Sequence, residues 1–348
     1  MHTSTTPVAA QLRHVGLALW GAAIAAVGVF LAQTALAESE SLTPRLLLMV
    51  GATVIAALGV MGLAHIPYRQ VLGAAPEPVS LMLAGLAGLG AWAGSRWVTA
   101  VLDRGLADAA GELDMPTTLA GLSDSVLGID TQSAAYEVFV LLGVVVIPLA
   151  QAWLLWGLVQ PAVTRVWGRW RAAWVTGVVA GVVLTLMAVQ NVTLQTPTGL
   201  GVIGGRIGVL DIIVPALPWG LAALGGYLVI GWIAALCVAL ADSPWAGFTA
   251  HSTYAYASFA LRDELAEELG GKRLLDVAWL TVLLLTGFAT LVVLQVLRYR
   301  NERSEGGDAV ENDSAPDSIS WVVWIGLPFA LLLAGVVALV VVDLQARG

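Results

Sequence analysis

The feature that most constrains this chain is a succession of apolar stretches about twenty residues long, separated by short polar connectors. An α-helix needs about 20 apolar residues to cross the ~30 Å hydrocarbon core of a bilayer. By that rule the sequence predicts spans near 15–37, 46–66, 79–102, 135–159, 172–190, 217–241, 244–261, 274–297 and 320–343. The expected fold is therefore all-α: a polytopic transmembrane helical bundle of about nine spans, with eight or ten as the neighbouring counts. Composition agrees. The 348 residues are 58% hydrophobic and 11% charged, whereas a soluble domain is about a quarter charged. Fourteen tryptophans against six tyrosines and six phenylalanines suit interfaces where an amphipathic ring is useful.

The first span has a rival reading. Arg13 and His14 precede an apolar run ending Ala35-Leu36-Ala37, the pattern of a signal-peptide cleavage site. The run is long for a signal peptide, which favours an uncleaved span. Residues 103–133 form a polar, acidic loop, 263–273 a charged connector leading to a span that ends near 298, and 299–319 an acidic linker expected to be disordered. The span at 320–343 then hangs on that tether. Residues 1–134, an N-terminal group of spans with its loop, precede a central unit at 135–262.

Charge narrows the class of partner. Acidic residues number 24 and basic ones 16, and Lys272 is the one lysine. That balance is similar to proteins hydrated by carboxylates in concentrated salt. A net charge of −8 argues against nucleic acid, which needs a clustered basic face. Membrane lipids and membrane-embedded proteins or peptides are the expected partners, at the plasma membrane. Arg165, Arg169 and Arg171 crowd one tight turn, which places that turn and the N-terminus in the cytoplasm by the positive-inside rule.

Strongly polar residues inside a membrane are functional candidates by default. Arg96, Glu137 and Asp242 lie near expected span ends, where long side chains reach the interface, and His65 lies just before Pro67. Gln151, His251 and the pair Arg206 and Asp211 remain. The run Gly199-Leu200-Gly201-Val202-Ile203-Gly204 fits the dinucleotide fingerprint but lacks its strand–turn–helix setting. With Pro215 and Pro218 it instead predicts a broken or re-entrant segment over 196–218. Arg206, Asp211 and His251 would line a polar cavity there, as in carriers. A loop at the membrane surface is the plainer reading of the same stretch. Small residues at Gly90 and Gly94, and at Gly177 and Gly181, are spaced for close helix packing. Cys237 lies mid-span, where a thiol behaves as a small hydrophobe.

The stretch 144–174 runs through Pro148, Gln151-Ala152, Trp156-Gly157 and Gln160-Pro161 to a turn of arginine and tryptophan. That layout resembles the first motif of the CPBP intramembrane proteases, which include the type II CAAX-prenyl proteases. The family carries Glu-Glu-x-x-x-Arg there, then Phe-x-x-x-His on the next helix and a late His-x-x-x-Asn. The resemblance implies that Gln151 and Ala152 stand at the glutamates and Trp156 at the arginine. It sets Ala180 and Leu184 on the second motif, and His251 and Ala255 on the third. Only His251 keeps the family's residue. A hydrolase of this kind needs a general base and an oxyanion stabiliser, and Gln151 cannot accept a proton. A metal site needs three or four ligands, yet the four histidines are scattered. The expectation is a non-catalytic relative with no metal or cofactor. A membrane carrier or channel component, and an active CAAX-type peptidase with an atypical site, are the alternatives.

Overall fold

The computed structural model describes residues 7–35, 42–74, 76–110, 141–193, 209–261 and 278–304. Among them the chain is helical, with no strand. The helices are α1 (Pro7–Ala35), α2 (Leu42–Ala64), the short α3 (Tyr68–Leu72) and α4 (Pro78–Ala110). They continue with α5 (Leu142–Trp167), α6 (Arg169–Thr193), α7 (Val209–Ala241), α8 (Pro244–Ala260) and α9 (Ala278–Ser304). Five of them contain a stretch long and apolar enough to cross a membrane: Leu47–Ala64, Pro78–Thr99, Leu142–Trp167, Leu224–Ala241 and Trp279–Asn301. Large apolar side chains point outward from several helices, among them Ile24, Ile55, Met82, Val282 and Val296. Such apolar outer faces suit lipid rather than water.

Two helices organise the bundle. The central α4 packs on α7, α8 and α9, while α5 packs on α1, α2, α6 and α8. Where α4 crosses α9, Gly90 and Gly287 bring the two backbones into contact with no side chain between them. On α6, a Cβ at Gly181 would fall 2.7 Å from Leu228 Cδ2, and one at Gly177 would fall 2.9 Å from Trp232 Cα. Gly231 of α7 is seated in return on the Gly177 carbonyl. These contacts pair 177 with 232 and 181 with 228, so α6 and α7 run antiparallel. Small residues permit this approach, and van der Waals packing then holds it.

The connections are capped locally. His65 takes a left-handed conformation (φ 52°) after α2. The Ile66 N–H then donates to the Met61 carbonyl at 2.9 Å and the His65 N–H to that of Gly62 at 3.4 Å, the paired bonds of a Schellman stop. His65 is thus an exposed helix terminator. Asp242 (φ 51°) does the same after α7. Ser243 then caps α8, accepting from the Trp245 N–H and donating to the Ala74 carbonyl at 2.8 Å. The α7–α8 corner is thereby tied to the chain between α3 and α4.

Several boundaries differ from the sequence expectation. Residues 209–218 are helical and continuous with the rest of α7, through Pro215 and Pro218, so the expected break over 196–218 does not extend into them. Transmembrane helices tolerate proline where neighbours resatisfy the freed backbone groups. Helix α4 continues to Ala110, past the expected start of the polar loop at 103. Helix α9 continues to Ser304, past the expected start of the linker at 299. The rest of 103–133, the connector 263–273, residues 196–208, the remainder of the linker and the span at 320–343 lie outside the described residues.

Candidate functional site at the α5–α8 seam

Helix α5 is not a uniform α-helix. Two wide turns with i→i+5 bonding interrupt it, at Leu142–Val146 and at Trp153–Val159. Each lies just upstream of a proline, Pro148 and Pro161. Proline removes a donor and crowds the preceding carbonyl, and a wider turn absorbs that mismatch. Gln151 and Ala152 occupy the short α segment between the two turns, and Trp156 lies inside the second. In an i→i+5 turn, residues five apart come close to stacking.

Helix α8 supplies the other wall. His251 and Trp156 meet edge to face, with ring centroids 5.5 Å apart and planes at 87°. Gly247, one turn before His251, makes room for the indole: a Cβ there would lie 3.0 Å from Trp156 Cδ2 and 2.7 Å from Val238 Cγ2. Tyr254 flanks His251 on its other side at 6.4 Å. The site is enclosed, with Gln151 4%, Trp156 0% and His251 5% exposed. Neither Trp156 Nε1 nor His251 Nδ1 has a hydrogen-bond partner among the described residues. A buried polar atom without a partner costs about 1–3 kcal/mol.

Beside this contact, Leu72, Leu149, Ala152, Trp153, Pro244, Trp245 and Phe248 line a small, shallow cleft, open on one side. Its surface is apolar. Ala152, which stands at a glutamate of the resembled motif, forms part of that wall.

The structure joins some of the sequence-predicted positions and separates others. Gln151, Ala152 and Trp156 share α5, and Trp156 touches His251. Leu184 is buried on α6, three residues after Gly181 and so on the face that meets Leu228 of α7. It belongs to the α6–α7 seam, and Ala180 packs there too, against Gly231. Arg206 and Glu137 lie outside the described residues, and Asp211 lies in the first turn of α7 with its side chain outside them. Cys237 is buried in α7. Among the described residues no three His, Cys, Asp or Glu side chains come together in a way that could hold a metal ion. The cleft residues Trp153, Trp245 and Phe248 were not singled out from sequence. The signal available was Trp245 and Phe248 three apart at the start of a helix, which stacks them on one face.

Chemically, the seam offers an indole donor and an imidazole, with no carboxylate among its described members. It can hydrogen-bond a guest. Comparison with protein-family profiles, with curated protein sequences and with solved structures found no match.

Proposed function

We propose that this chain is a multi-pass membrane protein that binds membrane-embedded proteins or peptides without cutting them. In this reading its 135–262 core is a CPBP-like scaffold within a bundle of about nine spans. It sits in the plasma membrane with the N-terminus in the cytoplasm. The observation that carries the reading is the contact of His251 with Trp156. Two positions set on separate motifs by the resemblance are neighbours in space, and where the resembled motif has an arginine, an indole fills the interior. The open apolar cleft beside them takes side chains of a partner segment lying in the membrane. Its wall at Ala152 supports binding over hydrolysis, since an alanine can neither activate water nor hold a metal.

The carrier alternative rests on Arg206 and Asp211 in a broken segment. It has less support now that 209–218 is helical.

The test is a cleavage assay in detergent or nanodiscs, using prenylated and unprenylated membrane peptides. The expected result is no product from the wild type. Peptides should nevertheless crosslink to a photoreactive residue placed at Phe248. Product formation by the wild type that disappears in His251→Ala would overturn the proposal in favour of an active peptidase.

A further inference from the structure

Four helices stop at one end of the bundle. Helix α2 ends on His65, α3 on Gly73, α5 on Gly168 and α7 on Asp242, each at positive φ. Contacts between the helices bring these stops together. Ser243 donates to the Ala74 carbonyl and Gly73 lies against Pro244, so the ends of α3 and α7 meet. Gly157 of α5 lies against Val71 of α3. Gly177 and Gly181 of α6 face Trp232 and Leu228 of α7, and the same register, continued, sets Arg169 level with Leu240. Helix α1 lays Gly21 on Val60 and Gly28 on Ala52, a register that carries Arg13 beyond the end of α2. Helix α9 joins through Arg298, whose guanidinium donates to the Ala239 and Leu240 carbonyls.

This end is basic. Arg13, Arg69, Arg165, Arg171 and Arg300 are exposed there, on five different helices. None makes an ion pair among the described residues. The carboxylates whose side chains are described, Glu77 and Asp242, lie at the same end and are outnumbered. On a chain of net charge −8, the cluster is a local feature. Exposed aromatic rings accompany it: Tyr68, Trp167 and Tyr299, each within two residues of one of these arginines. The Arg69 Nε donates to the Tyr68 hydroxyl at 3.2 Å.

Tryptophan and tyrosine concentrate where hydrocarbon gives way to headgroups, and a long basic side chain at that level reaches outward to the phosphates. The planar guanidinium suits a phosphate oxyanion. Cations spread over five helices fit a charged surface better than a single soluble ion, which needs donors converging on one point. We propose that this end of the bundle docks the headgroups of anionic phospholipids, with Arg69, Arg165 and Arg171 on their phosphates and Tyr68 and Trp167 at the interface. The site is separate from the α5–α8 seam and does not depend on what that seam binds.

Native mass spectrometry of the purified full chain, loaded with equal amounts of phosphatidylglycerol and phosphatidylcholine, tests this. The wild type should retain phosphatidylglycerol several-fold over phosphatidylcholine. The triple variant Arg69→Gln, Arg165→Gln, Arg171→Gln should lower phosphatidylglycerol retention by about tenfold or more, since one basic side chain near an anionic surface is worth about fivefold in affinity. The corresponding triple change to lysine should keep the wild-type preference within about twofold, because charge near the surface is the main term. Arg45→Gln, at the opposite end of α2, should retain lipid like the wild type. A glutamine triple variant that keeps the wild-type preference would overturn the surface, as would an equal loss in Arg45→Gln. Displacement of the lipid by equimolar inorganic phosphate would overturn a lipid surface as the partner. So would a preference that emerges only after the acidic residues of 302–317 are replaced by asparagine and glutamine, which would assign the arginines to the chain's own linker.

Discussion

The α6–α7 and α5–α8 seams both seat an indole against a glycine, and they differ in how closely their backbones approach. Between α6 and α7, glycines at 177, 181 and 231 let backbone rest on backbone. Between α5 and α8, a single glycine, Gly247, accommodates a whole indole, and α5 departs from α-helical winding to present it. The first seam adds one aromatic pair to these backbone contacts, Trp174 of α6 with Trp232 of α7 at 4.5 Å. The second depends on one large side chain that also carries an unpaired polar atom. Polar residues in a membrane interior are costly and tend to mark function. The seam that joins Trp156 and His251 beside the open cleft is accordingly the better candidate for binding, and the glycine seam the better candidate for scaffold.

The sharpest way to break this comparison is Trp156→Ala. Removing a fully buried indole should cost about 3–5 kcal/mol, combining lost contacts with a residual cavity. Reversible unfolding in mixed micelles measures it. A loss below about 1 kcal/mol, far under the usual range for such truncations, would mean that the α5–α8 seam does not depend on this side chain. The two seams would then not differ in kind.

The helices were legible because apolar length is a physical requirement of the bilayer: each expected span up to residue 297 overlaps a described helix, and five of these helices contain a stretch long and apolar enough to cross a membrane. Less was legible where a local rule learned in water meets lipid. Pro215 and Pro218 read as breakers, yet α7 passes through both. Pro148 and Pro161 were visible as landmarks, but the wide turns before them depend on backbone geometry that no residue type announces. The meeting of His251 with Trp156 turns on Gly247, one glycine among 38. Arg96 was visible as a charge near a span end. Its contact with Trp92 is local, four residues earlier on α4, whereas Trp279, on which Trp92 stacks, comes from α9, more than a hundred residues away in sequence.

Gly231→Ala probes the other seam. The added methyl would land on the Gly177 carbonyl, with the Gly181 nitrogen at 3.0 Å and Ala180 Cβ at 3.3 Å. Backbone atoms on a packed helix cannot swing aside as a long side chain can, so α6 and α7 must separate. Overpacking of this kind costs about 1–3 kcal/mol. The same unfolding assay should show that loss, and crosslinking between cysteines introduced on α6 and α7 should slow. An alanine variant as stable as the wild type would show that the seam has slack, and close backbone contact would no longer distinguish it.

The smallest effect belongs to the residue that joins the two regions. Gln160 follows the second wide turn of α5, and its Nε2 donates to the Ala235 carbonyl of α7 at 2.8 Å. That bond ties the helix bearing the candidate site to the helix bearing the glycine seam. Side-chain hydrogen bonds between membrane helices average about 0.6 kcal/mol and reach about 1.7 at most. Gln160→Leu keeps the bulk and removes the donor, so its cost should fall within that range, below both other variants. The informative measurement is the double mutant with Gly231→Ala. If α7 transmits strain from the glycine seam to α5 through this bond, the two losses should fall short of additive, because the second change releases a tie already loosened by the first. Strict additivity would mean that the two seams are energetically independent.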